Sequence, residues 1–285
     1  MRESLPTEKL REKFDSEVEG PTESEKYQQA ASFIRHRQSQ DSLNRIIRLG
    51  VLRAWRGRAN LTDNEVRNLL LDESELRKIE TRKGSAWRLN EGAEALGCFL
   101  TWLDESMRGP ILTTNFDPLL EISVRRSGGG TSTQWMDGDG RIERPDVEDV
   151  VEIAHVHGYW RMGNTLHTQG QLTRQRHKLG GSIRERLRGH YVVVCGYGGW
   201  QDAFTRSLLD RIQEENALGM DISWAWHGEL RESDFNRGML AELGKLDAIS
   251  HFGGIDINTL FPELYADLPG TCKRLTIGPG GALSA

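Results

Sequence analysis

The rhythm of apolar positions changes near residue 110. Before it, apolar side chains recur at helical spacing; after it, short apolar runs alternate with helical stretches. Leu43, Ile46, Ile47, Val51 and Ala54 fall at i, i+3, i+4, i+8 and i+11, which predicts an amphipathic helix with Ser42 as its N-cap. Tyr27, Ala30, Ala31 and Ile34 predict an earlier helix, behind a charge-rich start that includes Glu8, Lys9, Arg11, Glu12, Lys13 and Asp15. Thr62 is placed to cap a short helix carrying Val66, Leu69 and Leu70. Residues 72–90 are polar and read as connecting structure. Leu96, Phe99, Leu100 and Leu103 predict a helix ending near Gly109-Pro110.

Beyond that point the pattern predicts strands at 111–114, 132–136, 151–156, 191–195, 221–226 and 247–252, with helices at 118–126 and 202–217. Val192-Val193-Val194 and the run from Ile222 to Trp226 are apolar without clean alternation, as in strands covered on both faces. The expectation is an α/β fold, a mostly parallel Rossmann-like sheet with helices on both faces and a helical N-terminal portion. The chain divides into an N-terminal helical segment at 1–89, a core at 90–270 and a flexible tail at 271–285, where Gly and Pro gather. No internal repeat is evident.

Composition narrows the class. The chain has 285 residues and a net charge of −5, which does not favour nucleic acid or an anionic membrane as partner. No apolar run approaches the roughly 20 residues needed to span a bilayer, and the first residues lack a secretory apolar core. Cys98, Cys195 and Cys272 are odd in number and far apart, which argues against a disulfide framework and a thiolate metal site. A cytoplasmic protein is expected. Arg161, Arg174, Arg176, Lys178, Arg184, Arg186 and Arg188 make a basic stretch behind an acidic one from Asp137 to Glu152. A solvated face, a phosphate-facing wall and an interface with an acidic partner all fit that charge pattern.

Two runs carry candidate chemistry. Thr113-Thr114-Asn115-Phe116-Asp117 ends the first strand just ahead of a helix, and Ala154-His155-Val156-His157-Gly158 ends the third. The crevice at such strand ends is where open α/β sheets bind ligands. Asp117 before Pro118 is also a good helix cap, whereas capping does not account for Asn115. His155 and His157 share a strand face; His155 fits a structural role and His157, directly before Gly158, the reactive one. His167 could line a pocket or sit in a loop. Asp202 could bind a ribose or cap a helix. Cys195 and Trp200 read as packing residues, with adenine stacking open to Trp200.

Taken together with Val192-Val193-Val194-Cys195-Gly196-Tyr197-Gly198-Gly199-Trp200-Gln201-Asp202, these runs resemble the sirtuin-like family across roughly residues 90–255. The likeness points to its bacterial branch of antiphage-defence NADases. It implies NAD as substrate, with Asn115 and His157 as the catalytic pair. Thr114 and Asp117 match positions lining the nicotinamide and ribose pocket. Gly196, Gly198 and Gly199 match the turn where backbone approaches the nucleotide, and Asp202 is a further cofactor-binding candidate. Cleavage between nicotinamide and ribose passes through an oxocarbenium-like state. An amide such as Asn115 can orient water beside it, and a histidine can take the proton. A homo-oligomer and a regulatory partner, such as an ATPase or phage-sensing protein, are expected from the resemblance.

Two departures qualify it. Deacylating members carry two CxxC pairs in a zinc ribbon, and residues 158–190 contain no cysteine, so hydrolysis without a metal is expected over deacylation. The family's early Gly-Ala-Gly-x-Ser turn has no match in residues 1–60. Either the start lies upstream of Met1, or a central strand is gone and the edges beside it are unpaired. Besides NAD glycohydrolysis, a non-catalytic nucleotide-sensing or assembly module and ADP-ribosyl transfer remain open.

Overall fold

The computed structural model describes residues 1–20, 22–82, 86–104, 107–213, 221–230, 241–242 and 249–268. The expected tail at 271–285, the end of the 202–217 helix and the first two residues of the 247–252 strand lie outside them.

Seven helices, all in the N-terminal two fifths except the last, lead through the first crossover: α1 (Glu8–Glu17), α2 (Glu23–Arg37), α3 (Gln40–Leu52), α4 (Asp63–Leu69), α5 (Glu73–Thr81), α6 (Glu91–Trp102) and α7 (Leu119–Arg126). Each of the first six is opened by a side chain that accepts from a backbone N–H in its first turn. Thr62 and Glu65 complete a reciprocal capping box on α4. Ser39, not Ser42, caps α3; its hydroxyl accepts from the Ser42 N–H at 3.0 Å. The first turn of α3 is polar (Gln40, Asp41, Ser42), so the apolar period begins one turn after the helix does. Residues 72–90 are likewise not all connection. Asp72 caps α5, whose buried face pairs Leu76 with Glu80, a charged residue in a core position that hides the period. The α6 helix stops at Trp102, seven residues short of Gly109.

All six expected strands form: β1 (Ile111–Thr113), β2 (Gly130–Trp135), β3 (Val150–His155), β4 (Val192–Cys195), β5 (Ile222–Ala225) and β6 (Ile249–Phe252). Among the described residues, further helices include α8 (Gln169–Leu172), α9 (His177–Leu187), α10 (Ala203–Gln213) and α11 (Ile257–Ala266). The strands stand in two parallel three-stranded sheets, ordered β1-β3-β2 and β4-β5-β6. Among the described residues, β1 and β4 each keep one edge without a strand partner. Their starts are close, for a Cβ on Gly109 would lie 3.0 Å from His190 Cδ2.

A single apolar core joins the two sheets, running from Ala154 and Val156 through Leu179 and Ile183 of α9 to Val194, Leu208 and Trp224. On the other face of β3, Val151 and Ile153 meet Leu100 of α6 and Val124 of α7. Helices therefore cover the first sheet on both sides, and β3 is buried throughout its second half. The N-terminal helices are pinned to the loop after β3. Arg48 of α3 donates to the carbonyls of Leu70, Trp160 and Arg161, and Asn44 donates to Gly163 O and Asn164 Oδ1.

The basic stretch is not a uniform solvated face. Arg161 is paired with buried Glu80 at 2.8 Å, and Arg176, also buried, donates to the Met136 and Val156 carbonyls. Arg186 pairs with Glu152, while Arg174, Lys178 and Arg188 are exposed. The acidic stretch supplies Asp139, whose carboxylate accepts from the Lys178 and Leu179 N–H groups at 2.8 and 3.1 Å. That places a negative charge at the N-terminus of α9, where the helix dipole favours it.

Candidate functional site

The parallel register of β1 and β3 pairs Thr113 with His155. Asn115 and His157 each lie two residues further on, at the carboxyl ends of adjacent strands. The Val156 N–H donates to Thr113 O at 2.9 Å, and the Trp160 N–H donates to Phe116 O at 2.8 Å, so the two strand exits stay joined beyond the sheet. Asn115 has an exposed side chain. Its backbone is held from both sides: the N–H donates to Thr113 Oγ1 at 3.1 Å, and the carbonyl accepts from His155 Nδ1 at 2.5 Å. Thr114 is half-buried between them.

His157 is buried, and its Nε2 donates to Asp202 Oδ2 at 2.7 Å. Asp202 belongs to the turn after β4, so this contact brings the second sheet to the same place. The carboxylate is fully buried and committed: Oδ2 also accepts from the Tyr197 hydroxyl at 2.8 Å, and Oδ1 accepts from the Thr205 N–H at 3.0 Å at the start of α10. Burial pushes the Asp202 carboxyl up, but the hydrogen bond and charge of His157 and the Thr205 and Tyr197 donors outweigh it, and the net shift is downward. An ionised Asp202 fixes the His157 tautomer. With Nε2 as the donor, Nδ1 of the neutral ring is left with the lone pair.

His155 has both ring nitrogens engaged, Nδ1 on Asn115 O and Nε2 on Glu121 Oε1 at 2.6 Å. Burial lowers its pKa, yet the charge and hydrogen bond of Glu121 raise it further, so the net shift is upward. It supports the backbone of Asn115 and has no free nitrogen for a ligand. Asp117 is not the helix cap, since Pro118 takes the N-cap position of α7; its carboxylate accepts from the Leu119 N–H at 3.1 Å from one residue further out, and burial raises its carboxyl pKa.

The glycines have separate reasons. Gly158 follows His157 with φ +89°, and a Cβ there would lie 2.3 Å from Asn164 O. Gly196 and Gly199 also have positive φ, +63° and +68°, and the space a Cβ on Gly196 would occupy is empty. The turn after β4 thus needs glycine for its backbone, and one of its glycines faces open room. A Cβ on Gly198 would come no closer than 3.6 Å to Trp200 Nε1.

One residue at the site comes from a place the sequence did not mark. Tyr27, on the apolar stripe of α2, has its hydroxyl 2.7 Å from His167 Nδ1. His167, left open between pocket and loop on sequence grounds, is buried, with Phe116 edge-on at 5.0 Å. Tyr27, Phe116 and Asp117 also line a cavity of about 380 Å³ together with Ile46, Ile47 and Leu119. Periodicity assigns Tyr27 to the core, and nothing in its local sequence distinguishes it from a packing residue. Cys195 is half-buried, and burial raises its thiol pKa. Among the described residues, no group of three or more His, Cys, Asp or Glu side chains could hold a metal ion, and no helix is long and apolar enough to cross a membrane.

Parallel β-strands covered by helices make this a Rossmann-like α/β domain, with Asn115 and the Asp202-held His157 beyond the ends of neighbouring strands. Residues 110–237 match the family model of the SIR2-like domain, and the chain carries a sirtuin-like domain over that stretch. No curated protein matches the chain.

Proposed function

We propose that this protein is an NAD glycohydrolase, cleaving NAD to nicotinamide and ADP-ribose. The observation that carries the reading is the His157–Asp202 pair, set at the strand end next to the one that presents Asn115. In the reaction, the bond between ribose C1′ and the pyridinium nitrogen breaks and its electron pair leaves with nicotinamide. A water held by Asn115 adds to C1′, and its proton passes to His157 Nδ1, with Asp202 stabilising the resulting imidazolium. Thr114 and Asp117 border the nicotinamide and ribose, and the turn containing Gly196, Gly198 and Gly199 lies against the rest of the nucleotide. Asp202 acts through His157 in this scheme, since its oxygens are already taken by protein donors. No metal takes part.

The same reading makes the protein a cytoplasmic, NAD-depleting effector of bacterial antiphage defence, working as an oligomer under a regulatory partner. That extension rests on the resemblance alone. The direct test is nicotinamide release from NAD by the full chain and by Asn115→Ala and His157→Ala. Each substitution is expected to cost about 10²–10³ in rate; unchanged NAD consumption in both defeats the proposal. Binding of NAD without release of nicotinamide by the unaltered chain favours a nucleotide-sensing module instead, and label from NAD appearing on a macromolecule favours ADP-ribosyl transfer.

A further inference from the structure

One buried polar atom beside the site is used by none of this chemistry. His167 Nε2 is buried and has no hydrogen-bond partner, while Nδ1 on the same ring is held by the Tyr27 hydroxyl at 2.7 Å. Buried polar atoms are nearly always satisfied, and leaving one unmatched costs stability. The ring is nevertheless held firmly. Phe116 meets it at 5.0 Å and Tyr27 at 5.7 Å, both edge-on; the His167 N–H donates to Gln171 Oε1; and the preceding Leu166 N–H donates to His157 O at 2.9 Å.

We propose that His167, held at Nδ1 by Tyr27, is a substrate-recognition residue of this site, its Nε2 engaging the carboxamide of a nicotinamide ring. The inference rests on the NAD-cleaving reading and adds to it a contact from a ring that Tyr27 of the N-terminal helical segment holds in place. The surroundings suit a flat ring better than a sugar, since Phe116 and Tyr27 flank the imidazole and Trp200 lies 6.3 Å beyond Tyr27. Both flanking rings also line the cavity of about 380 Å³, so space adjoins them. Burial, together with the neighbouring His157, lowers the His167 pKa to about 3, which keeps the ring neutral at physiological pH. A neutral imidazole does not repel a pyridinium cation. A carboxamide offers both an N–H and a C=O, so it satisfies Nε2 in either tautomer that Tyr27 selects.

The test uses the full chain and measures binding of nicotinamide and of ADP-ribose separately, beside nicotinamide release from NAD. In His167→Phe, nicotinamide binding is expected to weaken about tenfold, the scale of one lost hydrogen bond, with ADP-ribose binding unchanged. His167→Gln, which keeps a neutral hydrogen-bonding group at that place, should recover most of the loss. Tyr27→Phe should weaken nicotinamide by a smaller factor, since the imidazole stays but loses its anchor. Equal weakening of both ligands, or nicotinamide binding that His167→Phe leaves untouched, overturns the proposal. If His167→Phe does not fold, unchanged nicotinamide binding in both His167→Gln and Tyr27→Phe overturns it as well. Failure of the unaltered chain to release nicotinamide from NAD counts against the glycohydrolase reading, whereas the comparison of the two ligands still decides the role of His167.

Discussion

His157 Nε2 lies 2.7 Å from Asp202 Oδ2, with His157 just beyond β3 of one sheet and Asp202 between β4 of the other sheet and α10. That hydrogen bond closes the gap between the two halves of the fold at their carboxyl edge. It also decides which imidazole nitrogen is free for chemistry. Asp202 is in turn tied to Tyr197 and to the first turn of α10, so the imidazole is oriented by a group that cannot itself swing.

Asp202→Asn should therefore keep the fold and lose rate. The amide can still accept from the Thr205 N–H, but it cannot stabilise an imidazolium at His157. A fall in kcat of about 10²–10³ with KM for NAD little changed is expected. Steady-state kinetics beside a thermal melt measure it; a kcat within threefold of the unaltered protein would remove Asp202 from the mechanism.

The second histidine of the run has a different task. His155 donates from both nitrogens, to the Asn115 carbonyl and to Glu121, which requires the charged ring. Its folded pKa is raised above its unfolded value, so its contribution to stability is complete below the unfolded value of about 6.5 and is lost as pH rises through the folded one. Glu121→Ala leaves that buried imidazolium without its partner and should cost about 3–5 kcal/mol. Urea melts at pH 6 and pH 9 check this: the unaltered chain should be more stable at the lower pH relative to Glu121→Ala, and an equal gap at both values contradicts it.

The strands and the two motif ends were legible because they depend on local chemistry. Short apolar runs ended by polar residues or glycine mark β1, β3 and β4 whatever the helices do, and all three form where expected. α5, which the apolar pattern does not predict, has a charged residue in a core position. Glu80 is buried because Trp160 Nε1 and Arg161 Nε donate to it, and those partners lie eighty residues away. The start of α3 was misplaced for a related reason, since a polar first turn contributes nothing to an apolar period. The site follows the same rule. Asn115 and His157 sit in recognisable runs, whereas Tyr27 reaches His167 across 140 positions, and no local pattern records that contact.

His167 should have an acid signature of its own. Its pKa is about 3 folded against about 6.5 unfolded. Between those values the unfolded chain binds one proton that the folded chain does not. This contribution is complete above about pH 6.5, is lost as pH falls towards 3, and has a slope of up to about 1.4 kcal/mol per pH unit. The sign in pH is opposite to that of His155. His167→Gln removes the group, so its stability curve between pH 4 and pH 6 should be flatter than that of the unaltered chain. Parallel curves would mean that the ring takes up a proton in the fold as readily as in water.

Gly158 links stability to the site most directly. It turns the chain immediately after His157 with φ +89°, and a Cβ there would meet the Asn164 carbonyl oxygen at 2.3 Å. That oxygen cannot easily withdraw. The loop bearing it is tied down by Asn164 N–H on Asp137, by Leu166 N–H on His157 O and by Asn44. Gly158→Ala thus meets backbone strain of about 1–3 kcal/mol together with a collision, and the chain can relieve both only by moving His157 or the loop. Destabilisation of more than about 2 kcal/mol is expected, with a loss of kcat in the protein that remains folded. Gly170→Ala is the matched control. It lies in α8 with nothing within 4 Å of its missing Cβ, so it should be neutral or slightly stabilising. Should Gly158→Ala behave like Gly170→Ala in both melting and turnover, the tight turn is not what holds the imidazole in place.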